Sequence, residues 1–193
     1  QQRALVYQRA KNVSDTNAFG TLDDLYAKDK EWFLQSQTSQ PLDVQDFRIT
    51  VGNERCLQPY SMSVFNISAM SFGSLSGRAI MALNQGAKMG GFAHDTGEGA
   101  ISPYHRKYGG DLIWQLGTGY FGCRDENGNF DPELFAQNAT DDQVKMIEIK
   151  LSQGAKPGKG GVLPAEKITK EIALTRRIPM AEDCISPSTH SAF

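Results

Sequence analysis

The sequence predicts an α/β fold, read as the N-terminal part of a (β/α)8 TIM barrel preceded by an N-terminal arm. Three observations carry that reading. From residue 63 onward, short apolar strands alternate with amphipathic helical segments, the pattern of parallel strands joined by crossovers. An open doubly wound sheet would give the same alternation, but the long polar loops follow strands and precede helices, the edge where barrel enzymes keep their chemistry. A full barrel of this kind takes about 250 residues. Residues 63–193 supply about half of that, so the barrel is expected to be incomplete.

The arm is assigned to residues 1–62. Within it, "TLDDLYAKDKEWFLQS" spaces Leu22, Leu25, Tyr26, Trp32 and Phe33 at helical intervals, predicting a short helix, and "DFRITVGN" alternates like a strand closed by Gly52-Asn53. The half-barrel, residues 63–193, starts with a strand in "SVFNISAM" and a turn in "SFGS". A helix follows in "LSGRAIMALNQGAKMG", with Leu75, Ala79, Ala82, Leu83 and Ala87 on one face and a stop at Gly90-Gly91. Next come the glycine-bounded "FAHDTGEGA", a strand "DLIWQLGTG", a turn "RDENGNFD" and a helix starting near Pro132 in "DPELFAQNA". The strand "VKMIEIKLS", a glycine loop, a helix "PAEKITKEIALTRR" and a last strand "AEDCISP" complete the order. In "VKMIEIKL" the period of two puts Met146, Glu148 and Lys150 on one face and Ile147, Ile149 and Leu151 on the other. That arrangement predicts a polar lumen face backed by an aliphatic face under a helix.

Composition narrows the function. A formal net charge of −2, with lysines and arginines scattered along the chain, leaves no electrostatic footprint for nucleic acid or an anionic membrane surface. No apolar run approaches the roughly 20 residues of a membrane span, and "QQRALVYQRAKN" lacks a signal-peptide core, so a cytoplasmic protein is expected. Cys56, Cys123 and Cys184 are too far apart for a metal knuckle or a disulfide framework. His94, His105 and His190 lack ligand spacing, and no metal is expected.

Two glycine motifs fail on context. "GTGYFG", Gly117 to Gly122, matches a dinucleotide fingerprint, with Asp141 and Asp142 about twenty residues on. A polar turn follows it, however, where the pyrophosphate would need a helix N-terminus. In "KLSQGAKPGKGGVLP", Lys159 follows Gly158 but precedes Gly160, so the magnesium-binding hydroxyl of a P-loop is missing. What remains is Lys150 at a strand end, with Gln153 and Lys156 in the loop above. Taken alone, "HDTGEG" reads as a turn capped by Asp95 or Thr96, and "SAMSFGS" as a strand end followed by a helix cap.

Together, "SAMSFGSLS", "DTGEG", "GTGYFG", "IEIKLSQGAKPGKGG", "LP", "TRR" and "ISPSTHS", in this order, resemble the FMN-binding synthase domain of glutamate synthases. The single-chain FMN-binding group of that family is the nearest in kind, and the resemblance runs from residue 45 to the end. It implies a (β/α)8 barrel in which reduced FMN delivers a hydride to 2-iminoglutarate, formed from 2-oxoglutarate and ammonia, to give glutamate. By position it implies catalytic roles for Lys150 and Glu98, and flavin contacts from Ser68, Ala69, Met70, Ser71, Thr96, Gly119 and Lys150. Gln153, Lys156 and Arg176 are implied as substrate-holding, with Arg177 an adjacent competitor. Two carboxylates and a keto oxygen do call for cations and amide donors, arginine binding a carboxylate bidentately.

The implied partners are 2-oxoglutarate or a similar oxo acid, an ammonia source and an electron donor such as ferredoxin or a pyridine-nucleotide-linked subunit. Departures from the family pattern qualify this. Val162 in "GGVLPA" stands where many members have glutamine, leaving room for another oxo acid or a methylamine. The three cysteines do not form the family's iron-sulfur trio, and the loops after strands seven and eight, which hold the phosphate in such barrels, are expected beyond Phe193. The competing expectation is a catalytically silent fragment or interaction module that needs another chain to complete the barrel.

Overall fold

A computed structural model describes residues 2–14, 24–34, 37–38, 41, 47–154 and 158–190. The chain divides into two compact units, residues 1–42 and 43–193.

In the first unit, helix α1 spans Gln2–Ala10, built from good helix formers such as Ala4, Leu5 and Arg9. It was not expected from the sequence. The helix expected over 21–36 does not form in its described part: residues 24–34 are turns and irregular chain. Asp24 explains the difference. Its carboxylate accepts from the Tyr26 amide, and its carbonyl from the Ala27 amide, closing a turn where a helix would have continued. Tyr26, Trp32, Phe33 and Leu34 stay exposed, so no buried face repays helical order.

The second unit opens with an antiparallel hairpin, β1 (Arg48–Val51) on β2 (Tyr60–Ser63). The strand expected in "SVFNISAM" shrinks to one parallel bridge, Ile67 to His94. Helix α2 (Gly77–Gly90) follows, capped by the Ser76 side chain and stopped by Gly91 at φ 65°, a left-handed position suited to glycine. Then β3 (His94–Asp95), α3 (Pro103–Arg106), β4 (Leu112–Leu116), α4 (Pro132–Ala139) and β5 (Val144–Ile149) come in turn. Strands β3, β4 and β5 form one parallel sheet in sequence order, as the alternation predicts, and the sheet is open. No helix opens inside Gly117–Gly122; α4 begins at Pro132 behind the Asp131 cap.

The last segments depart from a simple alternation. β6 (Gly161–Leu163) pairs antiparallel with β7 (Cys184–Ser186), so "AEDCISP" does not join the parallel sheet. The helix expected over 164–177 is split into a 3₁₀ turn, Ala165–Lys167, and α5 (Lys170–Arg176). Thr169 causes the break: its extended backbone and its side chain, accepting from the Ile172 amide, start a new helix.

Every residue of β4 is buried, and the two faces follow the strand period. Ile113 packs with Tyr60, Met62, Ala93 and Met146, so the hairpin covers the beginning of the strands on one face. Tyr60 adds a 2.8 Å hydrogen bond from its hydroxyl to Asp111. Trp114 and Leu116 lie on the other face with Leu134, Phe135 and Ile147, under α4. The expectation that the aliphatic face of β5 is helix-covered holds for Ile147 only. Ile149 and Leu151 are 60% and 74% exposed, because α4, at eight residues about 12 Å long, ends short of them.

Behind the sheet, His94 and His105 are fully buried with ring centroids 5.2 Å apart. Neither nitrogen of His94 has a hydrogen-bond partner among the described residues. Burial pushes His94 down to about 4; burial first, then the neighbouring His94 and Arg106, pushes His105 down to about 3. Below the ordinary value of about 6.5 the unfolded chain therefore binds protons that the native state refuses. Stability is retained above that pH and falls between about 6.5 and 4, by on the order of 3 kcal/mol per ring. A His94→Phe variant should show a shallower acid limb in circular-dichroism titrations; an unchanged slope would count against this account.

Candidate active site at the sheet's C-terminal end

Three loops leaving the C-terminal ends of the parallel strands meet in one hydrogen-bonded cluster. Glu98 sits in the loop after β3, Thr118 follows β4, and Lys150 with Gln153 follow β5. Lys150 Nζ lies 3.1 Å from Glu98 Oε1 and donates to Gln153 Oε1 at 3.2 Å. The Gln153 amide nitrogen donates to Glu98 Oε2 at 2.6 Å and to Thr118 Oγ1 at 3.2 Å. Thr118 in turn donates to the Pro187 carbonyl at 2.6 Å. Gln153 is 8% exposed and both ends of its amide are engaged, so it fixes Lys150 and Glu98 to each other.

Beneath this cluster lies a polar layer on the hairpin side of the sheet. Gln115 donates to Glu148. Burial pushes the Asp95 carboxyl up to about 7; the Gly97 amide, which donates to it at 2.8 Å, opposes the rise and nearby Glu148 adds to it. Burial thus favours the neutral form of Asp95 more than it would for an exposed carboxyl.

Two cavities share the cluster. One, of about 440 Å³, is lined by Ala69, Met70, Ser71, Gly97, Gln115 and the Glu98–Lys150 pair. The other, of about 250 Å³, is lined by Gln153, Val162, Arg176, Cys184 and Ser186, and again by Glu98 and Lys150. Ser71 and Ser74 also border both, their hydroxyls 2.9 Å apart. Gly97 makes the close approach of these loops possible. At φ 65°, a β-carbon there would fall 2.6 Å from the Ser71 amide nitrogen. Gly97→Ala is therefore expected to cost about 2–4 kcal/mol of stability through backbone strain and overlap, read as a lowered denaturation midpoint; a change under about 0.5 kcal/mol would show the loops can part.

Arg176 enters the smaller cavity from the end of α5. It is 6% exposed, donates to the Phe72 carbonyl at 3.1 Å and lies 5.3 Å over the Phe121 ring. Its Nη1 stands 3.7 Å from Cys184 Sγ, and no carboxylate pairs with it among the described residues. A buried guanidinium without an anion is a strong anion attractor. Its neighbour Arg177 takes φ 57°, is exposed, and lines a separate cavity with Arg124 and Lys170. Of the two arginines, Arg176 alone faces the cluster.

The structure thus brings Glu98, Lys150, Gln153 and Arg176 together, with Ala69, Met70 and Ser71 at the larger cavity. Ser68 precedes them on the same loop and is exposed. Thr96 is buried, its hydroxyl donating to Gly97 and accepting from the Gln115 amide, so it shapes the loop. Gly119 is packed against the Phe121 ring, and its carbonyl accepts from Arg124 at 3.3 Å. Lys156 lies outside the described residues. Three neighbours of Lys150 and Gln153 were not singled out as site residues from the sequence: Thr118, bonded to Gln153, and Tyr120 and His190, whose side chains meet each other beside the Lys150 carbonyl. The "GTG" and "STH" contexts carry no chemical signature, and only folding brings them to the β5 exit. Among the described residues no three metal-ligating side chains gather, and no described helix is long and apolar enough to cross a membrane.

Comparison with known proteins agrees in family. Residues 5–193 match the profile described as the conserved region in glutamate synthase. The glutamate synthase large subunit-like protein YerD of Bacillus subtilis is 41% identical over 155 residues, covering 79% of this chain and 29% of that protein. The archaeal glutamate synthase [NADPH] of Archaeoglobus fulgidus is 40% identical over 146 residues, 76% of this chain and 26% of its own length. A glutamate synthase large subunit-like protein of Rhizobium meliloti is 29% identical over 188 residues, 94% of this chain and 39% of its own. The chain spans less than a third of the length of the first two relatives. With a parallel sheet carrying this cluster at its C-terminal end and a match over almost its whole length, the chain belongs to the glutamate synthase family.

Proposed function

We propose that residues 63–193 are the first half of a flavin-bearing (β/α)8 barrel, with residues 1–62 as its arm, in a cytoplasmic oxidoreductase that reductively aminates 2-oxoglutarate to glutamate through 2-iminoglutarate. One observation carries the reading: Lys150 and Glu98 line two cavities at once, one bordered by the strand-end residues Ala69–Ser71 and Gly97 and the other by a buried arginine with no carboxylate partner among the described residues. The larger cavity fits FMN in kind. Its volume lies within the usual range for ligand sites of about 300–1,000 Å³, and Ala69, Ser71 and Gly97 are small residues that leave room for a flat ring. FMN bound there would supply two-electron hydride transfer. Ala69, Met70, Ser71, Gln115 and Lys150 would hold it, the ammonium favouring an anionic ring. In the smaller cavity Arg176 would bind one carboxylate, and Gln153 and Lys150 would orient the oxo or imino group, with Lys156 a proposed further cation. Glu98, held by Lys150 and Gln153, would accept or return the proton that accompanies amination. Electrons from a reduced pyridine nucleotide are supported by the name of the Archaeoglobus relative.

The test is the full-length natural protein. It should purify with flavin absorbance, release FMN on denaturation, and form glutamate from 2-oxoglutarate and ammonium when reduced. A protein that neither carries nor takes up FMN on titration would end this reading. A second reading, completion by another polypeptide, draws on the exposure of Ile149 and Leu151. Flavin titration and size-exclusion of residues 1–193 alone would separate the two.

A further inference from the structure

We infer that His190 is a positioning residue for Lys150, acting through the main chain of the β5 exit together with Tyr120; the inference rests on the role proposed above for Lys150. The need for such a residue is visible in the ladder. Lys150 N–H still bonds the Leu116 carbonyl at 3.0 Å, the last parallel-sheet bond between the two strands. A parallel ladder would next supply the Lys150 carbonyl with an amide two residues beyond Leu116. β4 has ended there, and the chain turns away, with the Tyr120 amide closing on the Gly117 carbonyl at 3.1 Å. The His190 ring fills the place: its Nε2 lies 2.8 Å from the Lys150 carbonyl oxygen.

A carbonyl only accepts, so Nε2 carries the hydrogen. Nδ1 lies 3.0 Å from the Tyr120 hydroxyl, which donates to it when the ring is neutral. Tyr120 is itself buried and held at φ 49°, a left-handed conformation uncommon for a bulky residue, with its ring against Phe130 at 5.7 Å and against His190 at 5.3 Å. Backbone strain of this sort persists only where surrounding contacts over-determine it. The segment carrying His190 is also tied down: Gln153 N–H donates to the Ser188 carbonyl at 2.9 Å, Ser152 bridges Thr189, and Pro187 accepts from Thr118. His190 thus pins the peptide from which the Lys150 side chain springs, the side chain whose ammonium pairs with Glu98.

The test uses the full-length natural protein with His190→Gln, His190→Asn, His190→Phe and Tyr120→Phe. Glutamine can present its amide N–H near the Nε2 position; asparagine presents it near Nδ1 and cannot reach the carbonyl. The first readout is the rate of acetylation of Lys150 by acetic anhydride, followed by mass spectrometry. Phe and Asn variants should label Lys150 about 10-fold faster than wild type, because a displaced amine loses Glu98. The Gln variant should stay within about threefold, since a misplacement near 1 Å carries consequences of roughly 100-fold and a retained donor prevents it. Tyr120→Phe, which removes only the hydroxyl, should fall between. The second readout is turnover of 2-oxoglutarate, where the Phe and Asn variants should lose kcat with KM and Tm little changed, and Gln should restore it. Equal labelling in all four variants, or labelling of the Gln variant as fast as Phe, overturns the inference. If the Phe variant fails to fold, the Asn–Gln contrast decides. Labelling needs no turnover, so failure of the oxo-acid reading would appear as an inactive wild type while the labelling pattern still gives its answer.

Discussion

Lys150→Ala in the full-length protein is expected to lower kcat/KM for 2-oxoglutarate amination by about 100- to 1,000-fold, the usual effect of deleting a preorganised donor at a site of developing charge. The amine is the only group among the described residues that both borders the two cavities and carries positive charge. Removing it also leaves Glu98 with the Gln153 amide but without its cation. Lys150→Arg is not expected to rescue: a planar fork cannot reach Glu98 Oε1 and Gln153 Oε1 together in the space an ammonium occupies. Steady-state kinetics provide the check, and an alanine variant within threefold of wild type would remove Lys150 from the site.

Arg176→Met should separate binding from folding. A buried guanidinium without an anionic partner contributes little to stability, and replacing such a charge with an apolar chain of similar length is often neutral. The Phe72 carbonyl would lose a donor, a cost of about 1–3 kcal/mol, offset in part by relieving the unpaired charge. Stability is therefore expected to move by less than about 2 kcal/mol. Oxo-acid affinity, in contrast, should fall by about 100-fold, the worth of a charge-assisted bidentate contact of roughly 3 kcal/mol. Isothermal titration with 2-oxoglutarate and a denaturant curve on the same preparation give both numbers. Unaltered affinity would assign the guanidinium to holding the Phe72 carbonyl and packing against Phe121.

Much of the second unit could be read from residues whose local chemistry leaves little choice. Asp131-Pro132 starts α4, Gly91 ends α2, and the alternation of "LIWQL" and "VKMIEI" places Ile113 opposite Trp114 and Met146 opposite Ile147. Lys150 and Gln153 were legible because a strand's period of two ends at a fixed point and its loop begins there. What escaped depended on local side-chain caps that compete with periodicity, or on contacts distant in sequence. The Thr169 hydroxyl broke a helix that periodicity alone would have continued, and Asp24 did the same earlier in the chain. The β6–β7 pairing joins residues more than twenty apart, and no local pattern announces an antiparallel ladder inside a glycine loop. His190 and Thr118 acquire meaning only once the β7 segment crosses the end of β5.

The hairpin that packs Tyr60 and Met62 against Ile113 and Met146 gives one face of the parallel strands an apolar cover supplied by the chain just ahead of them. Stripped of it, those side chains would meet water as a contiguous apolar patch, and self-association is what such a patch invites.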